Sequence, residues 1–238
     1  MLHITNLKFH YGKRSVLRDF SLHLPKGEIA TLIGASGVGK TTLFKILIGS
    51  IKAQDGTVKI NNASLPQANA FVSCMMQEDL LLPWRSVLNN ITLPGELGTM
   101  PQKKAALKVE AQKLLMVLGL QNYADAMPHE LSGGMRKRIA LGQALMQQRP
   151  LLLLDEPFGS LDLILREELY AWIKQIQETL QMTMLIITHD FRDAISLSDR
   201  IFLLKEGIVW HEWLVSEKQR QDPQSCHELM NEMRNCMR

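Results

Sequence analysis

Gly34-Ala35-Ser36-Gly37-Val38-Gly39-Lys40-Thr41 decides the reading of this chain, because it fits G-x-x-x-x-G-K-[ST] at every position. Glycines let such a loop curl until successive backbone N–H groups point inward at phosphate oxygens. The apolar run Ile29–Ile33 precedes the loop and reads as a short buried strand. Leu43, Phe44, Ile46, Leu47 and Ile48 follow at helical spacing, with Gly49 as the stop. A glycine loop between strand and helix aims the positive end of that helix at an anion. Lys40 is then placed to reach the β- and γ-phosphates of a nucleotide, and the Thr41 hydroxyl to ligand Mg²⁺.

Working outward, residues 2–9 and 15–24 hold short apolar runs separated by the turn-like Tyr11-Gly12-Lys13, and Pro25-Lys26-Gly27 is a second turn. Val58–Ile60 and Phe71–Cys74 are further strand candidates. From Pro83 to Gln148 the chain is rich in Leu, Ala, Lys, Gln and Glu, which favour helix. A helix is expected over Lys103–Leu118, and a second is expected behind Ser132 as N-cap. Leu151–Leu154 is a continuous apolar run of the kind found in the centre of a parallel sheet. Leu165, Leu169, Trp172, Ile173, Ile176 and Leu180 keep helical spacing, and Met184–Ile187 and Ile201–Leu204 read as strands. Strands alternating with helices around a helical middle predict an α/β core with a helical insertion.

Composition narrows the class. With 238 residues, 46% hydrophobic and 21% charged, the chain is long enough for a sizeable core. The balance of 27 Lys+Arg against 24 Asp+Glu, a net of +3, is too even to argue for a nucleic-acid or membrane-surface protein, and no nucleic-acid partner is expected. Cys74, Cys226 and Cys236 are odd in number and widely spaced, so free thiols in a reducing compartment are expected. No apolar run reaches membrane-spanning length, and no signal peptide is legible at the start. These features point to a cytoplasmic location.

The phosphate loop alone leaves several nucleotide-dependent classes open. D-x-x-G and N-K-x-D, expected of a GTPase, are absent from the sequence. Instead Leu151–Leu154 runs into Asp155-Glu156-Pro157: Asp155 can hold Mg²⁺ directly or through water, and Glu156 can accept a proton from an attacking water. Leu131-Ser132-Gly133-Gly134-Met135 is the third element. The order phosphate loop, L-S-G-G-M, L-L-L-L-D-E-P and a later His closely resembles the ATP-binding cassette (ABC) ATPases, from about Leu2 to Val215.

The resemblance implies a RecA-like P-loop core with an N-terminal antiparallel β portion. It divides the chain into one ATPase domain over 1–215 (core 1–77 and 147–215, helical subdomain 78–146), followed by a tail or helix over 216–238. It further implies that Tyr11, with Val16, adjoins the adenine, although Tyr11 alone is also an ordinary turn tyrosine. Gly34, Ala35, Ser36, Gly37, Val38, Gly39, Lys40, Thr41 and Thr42 would hold the phosphates. Gln77 would sense Mg²⁺ and the attacking water, joining Thr41 and Asp155 as the metal set. His189 would contact the γ-phosphate beside the catalytic Glu156. Ser160-Leu161-Asp162 resembles the loop that crosses the dimer interface. Ser132, Gly133 and Gly134 would face the nucleotide of a second protomer, making ATP the bond of a head-to-tail homodimer.

Met135 replaces the commoner Gln and resembles the branch that imports nitrate, sulfonate, taurine and pyrimidine precursors. Gly142 and Gln143 depart from the usual Ala and Arg, with a loss of some contact in the helical subdomain expected. Gln77-Glu78-Asp79-Leu80-Leu81-Leu82-Pro83-Trp84-Arg85 resembles the same branch. Its apolar residues either pack the helical subdomain or, with Trp84 and Arg85, form a groove for a transmembrane permease. The implied function is energy coupling in a bacterial-type importer of a small anion or vitamin precursor, on the cytoplasmic membrane face, with an external substrate-binding protein. An exporter or lipid transporter, a soluble cassette acting on DNA or ribosomes, and a non-hydrolysing scaffold are alternatives. The DNA or ribosome reading wants a coiled-coil insertion, a second cassette or a basic face, and the scaffold reading wants Glu156 replaced; the sequence meets neither demand.

Overall fold

The computed structural model describes residues 1–97, 104–159 and 161–237. Strands β1 (Leu2–Tyr11) and β2 (Arg14–Leu24) form a hairpin whose alternating apolar side chains line one face. They are joined by β4 (Asp55–Ile60) and the short β5 (Ala63–Ser64) in an antiparallel sheet ordered β2-β1-β4-β5. Between them in sequence lie β3 (Ile29–Ile33), buried at all five residues, and α1 (Lys40–Leu47).

The second sheet is built from β6 (Val72–Met75), β7 (Leu151–Asp155), β8 (Thr183–Ile187), β9 (Arg200–Lys205) and β10 (Ile208–Leu214), with β3 inside it. Its order is β10-β9-β3-β8-β7-β6, parallel throughout except for the β9–β10 hairpin. The uninterrupted apolar runs suit strands covered on both faces. One face packs against the antiparallel sheet through Phe20, Phe44 and Leu153. β3 and β7 lie on either side of β8, so the phosphate loop after β3 and the acids after β7 emerge at the same carboxyl edge.

Between β6 and β7 run α2 (Val87–Leu97), α3 (Lys104–Val117) and α4 (Gly133–Met146). Their inward side chains, including Ile91, Leu107, Leu115 and Ile139, share a core with Leu152, Leu154 and Ile173. Ser132 caps α4, its Oγ accepting from Met135 N at 3.2 Å. The two sequence departures have local counterparts. Gly142 lets α4 approach α2, since a Cβ there would lie 3.0 Å from Leu118 Cδ1 and 3.3 Å from Ile91 Cδ1. Gln143 donates from Nε2 to the Asn90 carbonyl at 3.0 Å, so this position contributes a contact within the helical segment rather than losing one.

α5 (Leu163–Leu180), α6 (Phe191–Leu197), α7 (Glu217–Gln221) and α8 (Pro223–Met237) complete the chain. The C-terminal residues form helix, and Leu229 and Met233 of α8 are buried against Ile33, Ile201, Leu203 and Trp213. Strand β10 buries only Trp213, with Val215 buried just beyond its end, too weak a period to stand out in the sequence. The three cysteines are free thiols. No helix among the described residues is long and apolar enough to cross a membrane.

Candidate nucleotide site

A cleft of about 720 Å³ opens at the carboxyl edge of the parallel strands. Its walls include Gly34, Ser36, Gly37, Gly39, Lys40, Thr41 and Thr42 from the loop and α1, with Gln77, Asp155, Glu156 and His189 opposite. The loop has the form of a cradle. A Cβ on Gly39, at φ +125°, would sit 2.9 Å from Val16 Cγ1, and Gly37 is left-handed at φ +73°. Gly39 caps α1 without a side-chain acceptor, so the first-turn N–H groups face the cleft unclaimed by a cap. Lys40 Nζ curls back to the carbonyl oxygens of Gly34 (2.7 Å) and Ala35 (3.0 Å). Burial pulls the Lys40 ammonium below its usual range, against the attraction of Glu156 and Asp155. An uncapped helix start and a half-buried cation fit a polyphosphate.

The acidic wall is unequal. Asp155 is only 3% exposed, and burial first, then neighbouring Glu156, push its carboxyl upward while Lys40 and Lys137 oppose. Thr41, Gln77 and Asp155 supply hard oxygen donors to one cleft, a set suited to Mg²⁺ bridging phosphates. Glu156 has a left-handed backbone, φ +49°, uncommon for a side chain with a Cβ. Its N–H donates to the Ile187 carbonyl at 2.9 Å, which ties the end of β7 to the end of β8. His189 Nδ1 lies 2.9 Å from Glu156 Oε2, and since a carboxylate can only accept, that nitrogen carries the proton. His189 is otherwise open to solvent.

The single chain does not bring every expected residue to this cleft. Tyr11 stands exposed at the end of β1, edge-on to Phe9. Its hairpin partner Arg14 reaches the loop, donating from Nη2 to the Gly37 carbonyl at 3.1 Å. Val16 is buried behind Gly39 rather than open to the cleft. Ala35 and Val38 belong to the loop without lining the cavity. Ser132 and Gly133 are exposed at the start of α4, away from the chain's own loop, and Gly134 packs on Leu161 and Leu165. Asp162 caps α5, its Oδ1 accepting from Leu165 N at 3.0 Å. Ser160 lies outside the described residues.

Other residues enter the cleft unannounced by the sequence. Lys137, within the basic run Arg136-Lys137-Arg138, donates from Nζ to the Glu156 carbonyl at 2.8 Å. It lies three residues beyond Gly134, which puts both on one helix face. Arg166 Nη1 bonds Asp190 Oδ2 at 2.7 Å and Asp193 Oδ1 at 3.3 Å, while Tyr170 and Thr188 also donate to Asp193. This network braces the segment that carries His189.

Beyond Gln77 the chain turns around Asn90, which is fully buried. Leu81 packs on the helical core, whereas Trp84 is 72% exposed. Arg85 is not free: it forms a two-pronged pair with Glu96 at 2.8 and 2.9 Å. Asp79 pairs with Arg136 Nε at 2.9 Å, fastening this loop to α4.

A phosphate loop opening a helix, facing an aspartate–glutamate pair across a parallel sheet edge, defines a P-loop nucleoside triphosphatase. Residues 17–159 match the family described as ABC transporter. An aliphatic sulfonates import ATP-binding protein of Pseudomonas savastanoi is 37% identical over 214 residues, covering 90% of this chain and 76% of that protein. One of the same name from Pectobacterium atrosepticum is 40% identical over 200 residues, 84% and 72% of the two chains. A sulfate/thiosulfate import ATP-binding protein of Shigella flexneri is 36% identical over 215 residues, 87% of this chain and 58% of its own. A dimeric ATP-binding cassette, in a post-hydrolysis state bound to ADP and Pi, superposes with a TM-score of 0.81 at 26% identity, covering 91% of this chain and 99% of that one. The chain belongs to the ABC transporter family, as one of its ATP-binding ATPases.

Proposed function

We propose that this chain is the ATP-hydrolysing, energy-coupling subunit of a bacterial importer of small anions, and that it works as a homodimer on transmembrane permease subunits. The observation that carries the hydrolytic reading is Glu156, gripped at backbone and side chain, at the edge of a cleft whose other wall is the Lys40 loop. Lys40 exchanges its two carbonyl partners for the β- and γ-phosphates, and the first-turn N–H groups of α1 receive the remaining oxygens. Thr41, Asp155 and Gln77 would hold Mg²⁺, which when bound would neutralise phosphate charge. Glu156 orients the attacking water and takes its proton, and His189 holds that carboxylate. Tyr11 stacks on the adenine. The exposed Ser132 and Gly133, together with Gly134 and Asp162, serve the nucleotide of the second protomer, which accords with their distance from the cleft of their own chain. The importer and anion assignments are supported by the relatives named for sulfonate and sulfate/thiosulfate import.

Gel filtration of Glu156→Gln tests the mechanism. With ATP and Mg²⁺ the variant should keep nucleotide, lose about a hundredfold in turnover and elute as a dimer. ADP should not support that dimer, and adding Ser132→Arg should abolish it. A monomer under every condition, or a dimer indifferent to Ser132→Arg, would refute the shared-site reading.

A further inference from the structure

Glu156 is held against its own backbone preference. It is left-handed at φ +49°, and Pro157 follows and crowds it further. Such a conformation persists only where the surroundings fix it. Its N–H is taken by the Ile187 carbonyl at 2.9 Å, and its carboxylate accepts from His189. Its carbonyl accepts from Gly159 N at 3.3 Å and, much more closely, from Lys137 Nζ at 2.8 Å. Lys137 is half-buried on α4, where a charge-assisted bond counts for more than at the surface.

We propose that Lys137 is a positioning residue for hydrolysis: its ammonium clamps the Glu156 carbonyl and so fixes the direction of the carboxylate. The inference rests on the role of Glu156 set out above. Rotation about the Glu156 N–Cα bond swings the carbonyl and the Cα–Cβ bond together, so a clamp that holds the carbonyl also holds the root of the side chain at φ +49°. Because Lys137 rides on the helical segment and Glu156 directly follows the core strand β7, the clamp also makes the carboxylate sensitive to how α4 sits on β7.

Full-length wild type, Lys137→Met, Lys137→Arg, Glu156→Gln and the double variant Lys137→Met/Glu156→Gln are compared for kcat, KM, ATP affinity and melting temperature. Lys137→Met should lose about ten- to a hundredfold in kcat, the scale of a lost charge-assisted bond, with ATP affinity and KM within about twofold. Lys137→Arg should recover most of the rate, since it keeps a charged donor. In the Glu156→Gln background Lys137→Met should add no loss, because the group it acts through is gone. If Lys137→Met melts before assay temperature, Lys137→Gln, which keeps an amide donor on a shorter stem, takes its place with a smaller loss in the same pattern. Unchanged kcat, a matching fall in ATP affinity, or an equal loss in the Glu156→Gln background would each overturn the proposal. A wild-type chain without ATPase activity sinks the proposed function and this inference together, whereas an active wild type matched by Lys137→Met sinks this inference alone.

Discussion

Replacing Asn90 by alanine should loosen the loop between Gln77 and α2 while sparing nucleotide binding. The side chain is fully buried and acts as a bracket. Oδ1 accepts from Leu82 N at 2.8 Å, and Nδ2 donates to the carbonyls of Leu82 (3.1 Å) and Arg85 (2.8 Å). Its contact to the Ser86 carbonyl matters less, since that oxygen already accepts from Asn90 N at 2.8 Å. Three bonds at about 1 kcal/mol each give a loss of about 3 kcal/mol. The Leu82 carbonyl keeps one partner, Arg85 N at 3.1 Å, and Leu82 is half-buried, so water recovers some of this loss. Urea unfolding should show a midpoint lower by about 1 M or more. Trypsin should cut after Arg85 faster in the variant, because local opening precedes global unfolding. ATP affinity should hold, since no residue of the phosphate loop touches the bracket. A stability change under about 1 kcal/mol with unchanged cleavage would refute the reasoning.

Lys40→Ala should abolish tight ATP binding with the fold retained, as circular dichroism and a nucleotide titration would show; unchanged affinity removes the phosphate-loop assignment. Trp84→Ala should leave basal ATP hydrolysis intact and weaken co-purification with the permease, because the indole is exposed and lies outside the nucleotide cleft. Arg85→Glu should act differently, by destabilising the helical segment. Burial works to raise the Glu96 carboxyl, yet hydrogen bonds from Arg85 and Thr92 outweigh it and hold that carboxyl below its usual range. A second carboxylate there would face Glu96 directly, so a melting temperature equal to wild type would count against this pairing.

What the sequence determined by itself was the chemistry that depends on near neighbours. A glycine loop between the apolar Ile29–Ile33 and the helix at Lys40 specifies an anion cradle, because loop curvature, helix dipole and lysine lie within a dozen residues. Ser132 as N-cap and Leu151–Leu154 as a buried strand were legible for the same local reason. Hydrophobic period likewise announced the α/β alternation, while the order β10-β9-β3-β8-β7-β6 was not written in any one segment. The tertiary structure decided which distant groups meet. It bound Arg85 to Glu96 rather than leaving it free, set Gln143 against Asn90, and drew Lys137 out of a basic run onto the Glu156 carbonyl. It also kept Ser132 away from the cleft of its own chain. The last three of these depend on how α4 seats against the rest of the fold, and the missing Cβ of Gly142 is one of the side-chain volumes that sets its approach to α2. Local pattern records which face of a helix is apolar, whereas contact across the fold depends on depth and rotation, fixed only when the faces pack.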